Sequence, residues 1–158
     1  MRLYLVQHGD ALGKDVDPRR PLSEQGAFDV QAMAAALGAA GVRVERVWHS
    51  GKERAEQTAA ALAKRVLRKG RIEMTAGINP NDSVQEFACD ADCWEDDTLV
   101  VGHLPFMSRL VALLINGDPE RAVVSYLPGS VCLLYTSDAA DEGSGVEGGG
   151  GGGGGGGG

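Results

Sequence analysis

Leu3-Tyr4-Leu5-Val6-Gln7-His8-Gly9, near the start of the chain, is an apolar run of strand formers that empties into a histidine and a glycine. Such a run, bounded by a turn residue, reads as a buried strand feeding a tight turn, with His8 at the strand's carboxyl end. The pattern recurs far along the chain. Thr98-Leu99-Val100-Val101-Gly102-His103 is another short apolar run closed by glycine and histidine.

Working outward from these two strands, the intervening sequence has the period of helices. Val30, Met33, Ala34 and Leu37 stand at i, i+3, i+4 and i+7. They predict an amphipathic helix with Ser23 as its N-cap and Gly41 at its end. Residues 44–49 read as a second strand. Ala55, Ala59, Leu62 and Val66 share a helical face, so a helix is expected from near Lys52 to before Gly70, with Arg54 in its first turn. Residues 71–75 predict a short strand, followed by a loop to Asp82 and a helix over 83–91. Beyond His103, Met107, Leu110, Val111 and Leu114 give a helix starting near Pro105 its apolar face. Residues 122–126, and those from Ser130 onward, are expected as final strands.

Strands alternating with helices predict an α/β fold, a three-layer sandwich with a mostly parallel central sheet. Ligands of such sheets gather beyond the strands' carboxyl ends, where His8 and His103 both lie. The order of the strands does not follow from the pattern.

The formal charge of −7 divides unevenly. Of the 22 acidic residues, Asp138, Asp141, Glu142 and Glu147 lie in a final stretch without Lys or Arg, leaving 18 against 15 bases. The body therefore has no general affinity for nucleic acid, and a phosphate site must be built locally from a few cations. The longest apolar runs fall well short of the roughly 18 residues a membrane span needs. The N-terminal apolar run is too short for a secretory signal. A cytoplasmic monomer without membrane association is expected. Cys89, Cys93 and Cys132 are odd in number and form no disulfide framework, so reduced thiols are expected. His49 is the one histidine besides His8 and His103, and nothing pairs it with Cys89 and Cys93 as a metal site.

Transfer of a phosphoryl group needs a nucleophile and fixed positive charge or N–H donors around the equatorial oxygens. His8 can attack phosphorus through a neutral ring nitrogen if its other nitrogen donates to a turn carbonyl. Arg54 brings a cation to a helix N-terminus, which itself attracts anions. His103 and the N–H groups that open the following helix can face the same anion.

Three stretches together carry a resemblance. Leu5-Val6-Gln7-His8-Gly9-Asp10-Ala11, Ser50-Gly51-Lys52-Glu53-Arg54-Ala55-Glu56-Gln57-Thr58 and Val101-Gly102-His103-Leu104-Pro105 resemble the three motifs of the histidine phosphatase (phosphoglycerate mutase-like) superfamily, in the right order. Over residues 1–131 the short spacing, with no inserted cap domain, is most similar to the bacterial SixA-type phosphohistidine phosphatases. The resemblance implies a covalent phospho-His8 intermediate and no metal or other cofactor. It implies a phosphate pocket of Gln7, Gly9, Arg54, His103 and Leu104, and as substrate a histidine phosphotransfer domain or phosphocarrier protein.

The family motif reads Arg-His-Gly where this chain has Gln7-His8-Gly9, so one charge-assisted, forked contact to phosphate is lost. Losing such a donor costs on the order of 3 kcal/mol, or about a hundredfold in rate. Two alternatives follow: a protein that binds phosphohistidine without turnover, and a small-molecule phosphomonoesterase. Larger members of the family use an acid after the third strand; here Asp82 is the candidate, with Glu86 one turn on. An imidazole leaving group, of reference pKa about 6.5, has less need of an acid than an alkoxide.

The end of the sequence reads differently. Cys132-Leu133-Leu134-Tyr135-Thr136-Ser137-Asp138-Ala139-Ala140-Asp141-Glu142 resembles one reading frame of a transposase-end adapter used for DNA sequencing libraries, and residues 148–158 are all glycine. The expected division is therefore a C-terminally truncated phosphatase domain over 1–131 and a non-native tail over 132–158. Residues 131–135 are nevertheless apolar enough to continue a strand.

Overall fold

A computed structural model describes residues 1–135. The chain runs β1 (Arg2–Gln7), α1 (Glu24–Ala39), β2 (Arg46–His49), α2 (Glu53–Val66), β3 (Ile72–Met74), α3 (Val84–Ala91), β4 (Thr98–Gly102), α4 (Phe106–Asn116) and β5 (Val131–Tyr135). The sheet order is β3-β2-β4-β1-β5. All neighbours are parallel except β5, which pairs antiparallel with β1.

Alternation along the strands decides the layers. In β1, Leu3 and Leu5 face α3 and α4, where they join Phe87, Phe106, Leu110 and Val111. Tyr4 and Val6 face the opposite way and join Val30, Ala34, Ala59 and Leu62 of α1 and α2. Because both faces are covered, β1 and β4 are nearly or wholly buried along their apolar lengths, as parallel strands require. The expected three-layer sandwich is the architecture found.

The local signals explain most element ends. Ser23 caps α1 by accepting from Gly26 N, and Ser83 caps α3 by accepting from Glu86 N. Gly41 follows α1 at φ +84°, a left-handed conformation that glycine adopts freely. Expected residues 44–49 shorten to β2, with Val44 held by an isolated bridge to Leu67. The strand expected over 122–126 is absent. That segment instead packs Val124 and Tyr126 onto the α3/α4 side of the core, and the Tyr126 hydroxyl donates to Leu5 O at 3.0 Å. The β1 edge it would have needed is taken by β5. β5 spans the division expected at residue 131, with Cys132 and Leu134 buried against the core. Residues 136–158 of the expected tail lie outside the described residues.

The sheet order accounts for the location of the site. β1 and β4 are adjacent, yet α1 leaves β1 on one face and α4 leaves β4 on the other. Their carboxyl ends therefore open a crevice at the point where the winding reverses, the usual ligand position in open α/β sheets. Among the described residues no helix is long and apolar enough to cross a membrane.

Candidate active site

His8 stands one residue beyond β1. Its backbone N–H continues the ladder to Gly102 O at 3.2 Å, so the residue keeps the strand's direction. The ring Nδ1 lies 2.7 Å from Gly9 O. A carbonyl only accepts, so Nδ1 carries the proton and Nε2 holds the lone pair. Burial lowers the His8 pKa below the ordinary histidine value, and Arg54 and Arg20 lower it further against the opposing effects of the Gly9 bond and Asp10. The ring is therefore neutral at neutral pH.

The turn after His8 is held from two sides. Gly9 N donates to the Thr58 hydroxyl at 3.1 Å, and that hydroxyl donates to Arg54 O at 2.8 Å, tying the turn to α2. On the other side, Asp10 O accepts from Ser23 N, and α1 approaches so closely that a Cβ on Gly26 would lie 2.0 Å from that oxygen. A Cβ on Gly9 would meet Val30 Cγ2 at 2.6 Å. Both glycines are there for close approach rather than for flexibility.

His103 follows β4 and is 2% exposed. Its ring centroid lies 5.0 Å from that of His8. Its Nε2 is 2.6 Å from Ser50 Oγ, which also accepts from Lys52 N at 3.4 Å. The hydroxyl has two lone pairs, so besides accepting from Lys52 N it can either donate to Nε2 or accept from it, the choice that decides whether Nδ1 carries the proton. That Nδ1 is buried without a hydrogen-bond partner among the described residues, as is Arg54 Nε. Burial, then the charges of His8, Arg54, Lys52 and Arg20, push His103 down to about 3. Two buried nitrogens without partners, one of them an arginine N–H donor, leave a pocket with unused hydrogen-bonding capacity for an oxyanion.

Gln7 is 7% exposed. Its Nε2 lies 3.4 Å from His8 Nε2, and its Oε1 has no partner among the described residues. Leu104 follows His103 on the turn into α4 with its side chain exposed. Pro105 is the residue before that helix rather than the first within it. Asp82 lies in the loop before α3, where its carboxylate accepts from Asn79 N at 2.9 Å. Glu86 is exposed in the first turn of α3. No hydrogen bond joins either carboxylate to His8, Arg54 or His103 among the described residues.

A cleft of about 660 Å³ adjoins Arg54 and is lined by Lys14, Arg19, Arg20 and Lys52 among others. His49, the remaining histidine, accepts from Gly51 N through Nδ1 and shapes the turn into α2. Among the described residues no cluster of three or more His, Cys, Asp or Glu is arranged to hold a metal ion.

Sequence reasoning missed Ser50, Thr58, Arg20 and the 127–130 turn, whose Gly129 N donates to Gln7 O and His8 O. Ser50 and Thr58 lie inside a quoted motif, and their positions at the two ends of the Arg54 turn were the available signal. Nothing local marks Arg20 or Gly129.

No protein-family model matches the chain. It is 30% identical over 138 residues to the phosphohistidine phosphatase SixA of Escherichia coli (strain K12), a match covering 84% of this chain and 86% of that protein. A solved structure of the protein histidine phosphatase SixA complexed with tungstate superposes with a TM-score of 0.75 at 27% identity, over 85% of this chain and 87% of that one. A mycobacterial glucosyl-3-phosphoglycerate phosphatase shares the fold at a TM-score of 0.65 and 16% identity, over 84% and 89% of the two chains. With the three motifs gathered at one crevice and this similarity along most of its length, the chain belongs to the histidine phosphatase superfamily, in its SixA-type branch.

Proposed function

We propose that this protein is a phosphohistidine phosphatase that works through a phospho-His8 intermediate. The observation that carries the reading is the His8 ring itself: Nδ1 donates to Gly9 O, which leaves the Nε2 lone pair as the nucleophile, with the His103 ring centroid 5.0 Å away and the charge of Arg54 reaching the ring. His8 Nε2 attacks phosphorus, a new P–N bond forms, and the P–N bond to the substrate's imidazole breaks. Arg54 and His103 hold the equatorial oxygens, and the departing imidazole takes a proton from solvent. Water then attacks phospho-His8, releasing inorganic phosphate and returning His8 to its neutral form.

The absence of a bond from Asp82 or Glu86 to this cluster favours an easy leaving group over an alkoxide. The cationic cleft beside Arg54 is open enough for a protein substrate such as a histidine phosphotransfer domain or phosphocarrier protein. The likeness to SixA supports the same substrate class. No metal is required by this scheme. The test is phosphate release from a phosphohistidine-bearing phosphotransfer domain by folded wild type and His8→Ala. Release abolished by His8→Ala supports the reading; release unchanged by it overturns the reading.

One observation favours a second reading, a protein that binds phosphohistidine without turnover. The Gln7 amide nitrogen lies 3.4 Å from the nucleophilic Nε2, so it covers that lone pair and brings no charge. On this reading wild type is silent and Gln7→Arg switches hydrolysis on.

A further inference from the structure

Resting on the phosphoryl-transfer reading above, the missing charge at position 7 raises the question of what else faces the anion. Gln7 is neutral, and the helix-borne Arg54 alone leaves the pocket one guanidinium short of the family motif. Arg20 lies outside all three motifs, in the loop between β1 and α1.

That loop is held in a definite shape. An Ala11–Leu22 bridge closes it, Leu12 N donates to Pro21 O at 2.8 Å, and Arg20 N donates to Asp17 O at 2.9 Å. Arg20 has φ +50°, the only positive φ of a non-glycine residue among the described residues. The left-handed conformation is unfavourable for a non-glycine residue and persists where the surroundings over-determine it, often at functional sites.

The side chain is as constrained as the backbone. Arg20 Nε donates to Leu12 O at 2.8 Å, which orients the guanidinium plane and leaves its two terminal nitrogens for another acceptor. No carboxylate pairs with Arg20 among the described residues, whereas its neighbour Arg19 lies 3.7 Å from Glu53. Arg20 and Arg54 line the same cleft. The charge of Arg20 reaches His8, Arg54 and His103 alike, lowering the protonation of each. Two guanidiniums brought together on fixed backbones repel unless an anion lies between them.

We infer that Arg20 supplies the second guanidinium of the phosphoryl pocket in this chain, standing in for the arginine that Gln7 replaces, so that the transferring dianion is held between Arg20 and Arg54. A charge-assisted contact of this kind is worth a factor of about ten to a hundred in affinity.

The test uses tungstate, a tetrahedral oxyanion, titrated against folded wild type, Arg20→Gln, Arg19→Gln, Gln7→Arg and the Arg20→Gln/Gln7→Arg double variant. Binding is read by calorimetry and by the ring resonances of His8. Arg20→Gln is expected to weaken tungstate at least tenfold, and Gln7→Arg to recover most of that loss in the double variant. Arg19→Gln is expected to stay within twofold of wild type. Recovery by a charge restored on β1, outside that loop, separates anion binding from a merely structural role in the loop. Arg20→Gln within twofold of wild type, an equal loss in Arg19→Gln, or no recovery in the double variant would each overturn the inference while leaving the phosphatase reading intact. A wild type that binds no tungstate overturns both.

Discussion

Acidification from pH 7 to pH 5 should destabilise this protein through His103 in a way that a single substitution can isolate. The ring is 2% exposed and its pKa is pushed down to about 3, against about 6.5 in the unfolded chain. Between those two values the unfolded chain binds a proton that the folded chain refuses, so stability rises with pH across the window and is lost as pH falls below about 6.5. At pH 5 the loss from this one group is about 2 kcal/mol relative to pH 7, growing to about 4 kcal/mol near pH 3. His8 and His49 are lowered in the same direction and add to the effect, and carboxylates contribute equally in any variant. Urea unfolding of wild type and His103→Asn at both pH values separates the His103 share. The variant is less stable at pH 7, because Ser50 loses its partner, but its further loss at pH 5 should be smaller than that of wild type by about 2 kcal/mol. Equal losses in the two proteins would refute a neutral, buried His103.

The same geometry fixes other outcomes. Thr58→Val leaves the Gly9 N–H without its acceptor and should lower stability by about 1–3 kcal/mol, with kcat for phosphate release falling more than KM rises. Gly26→Ala should cost about 1–3 kcal/mol by urea unfolding although alanine favours helix, because its Cβ meets the Asp10 carbonyl; a neutral or stabilising result contradicts the close approach of α1. In a pH series, kcat/KM for phosphate release should be flat through neutrality and fall only below pH 6.5, since His8 attacks in its neutral form and its pKa lies below the ordinary value. An acid limb centred at or above 6.5 would count against that assignment.

The parts of this fold that local chemistry controls were legible in the sequence. Ser23 and Ser83 cap helices because a side-chain oxygen followed by a periodic apolar face has few other solutions. The apolar runs before His8 and His103 had to be buried strands because both of their faces are apolar. The sheet order was not legible, because it depends on which distant edges meet, and periodicity carries no such information. Residues 122–126 have strand-forming character, but the β1 edge is taken by β5 and the segment packs on the core instead, so tertiary context overrode propensity there. At the site, His8, Arg54 and His103 could be singled out because each sits at a strand-to-helix junction within a stretch that resembles one of the family's three motifs. Arg20 could not, since an arginine beside Pro21 in a polar loop has the look of a solvated surface residue until Leu12 O and the positive φ fix its direction. Ser50 and Thr58 look like ordinary small polar residues until their hydroxyls are seen to bind His103 and Gly9.

The central claim is chemical, that the phosphoryl group passes through Nε2 of His8, and trapping tests it most directly. A phosphohistidine-bearing phosphotransfer domain is mixed with excess enzyme, quenched in alkali within the first turnover and mapped by mass spectrometry and phosphorus NMR. The account predicts an acid-labile phosphoryl group on the peptide containing His8, bonded to Nε2, that decays as free phosphate appears and is absent in His8→Ala. Phosphate release with no such adduct, continuing in His8→Ala, would contradict it.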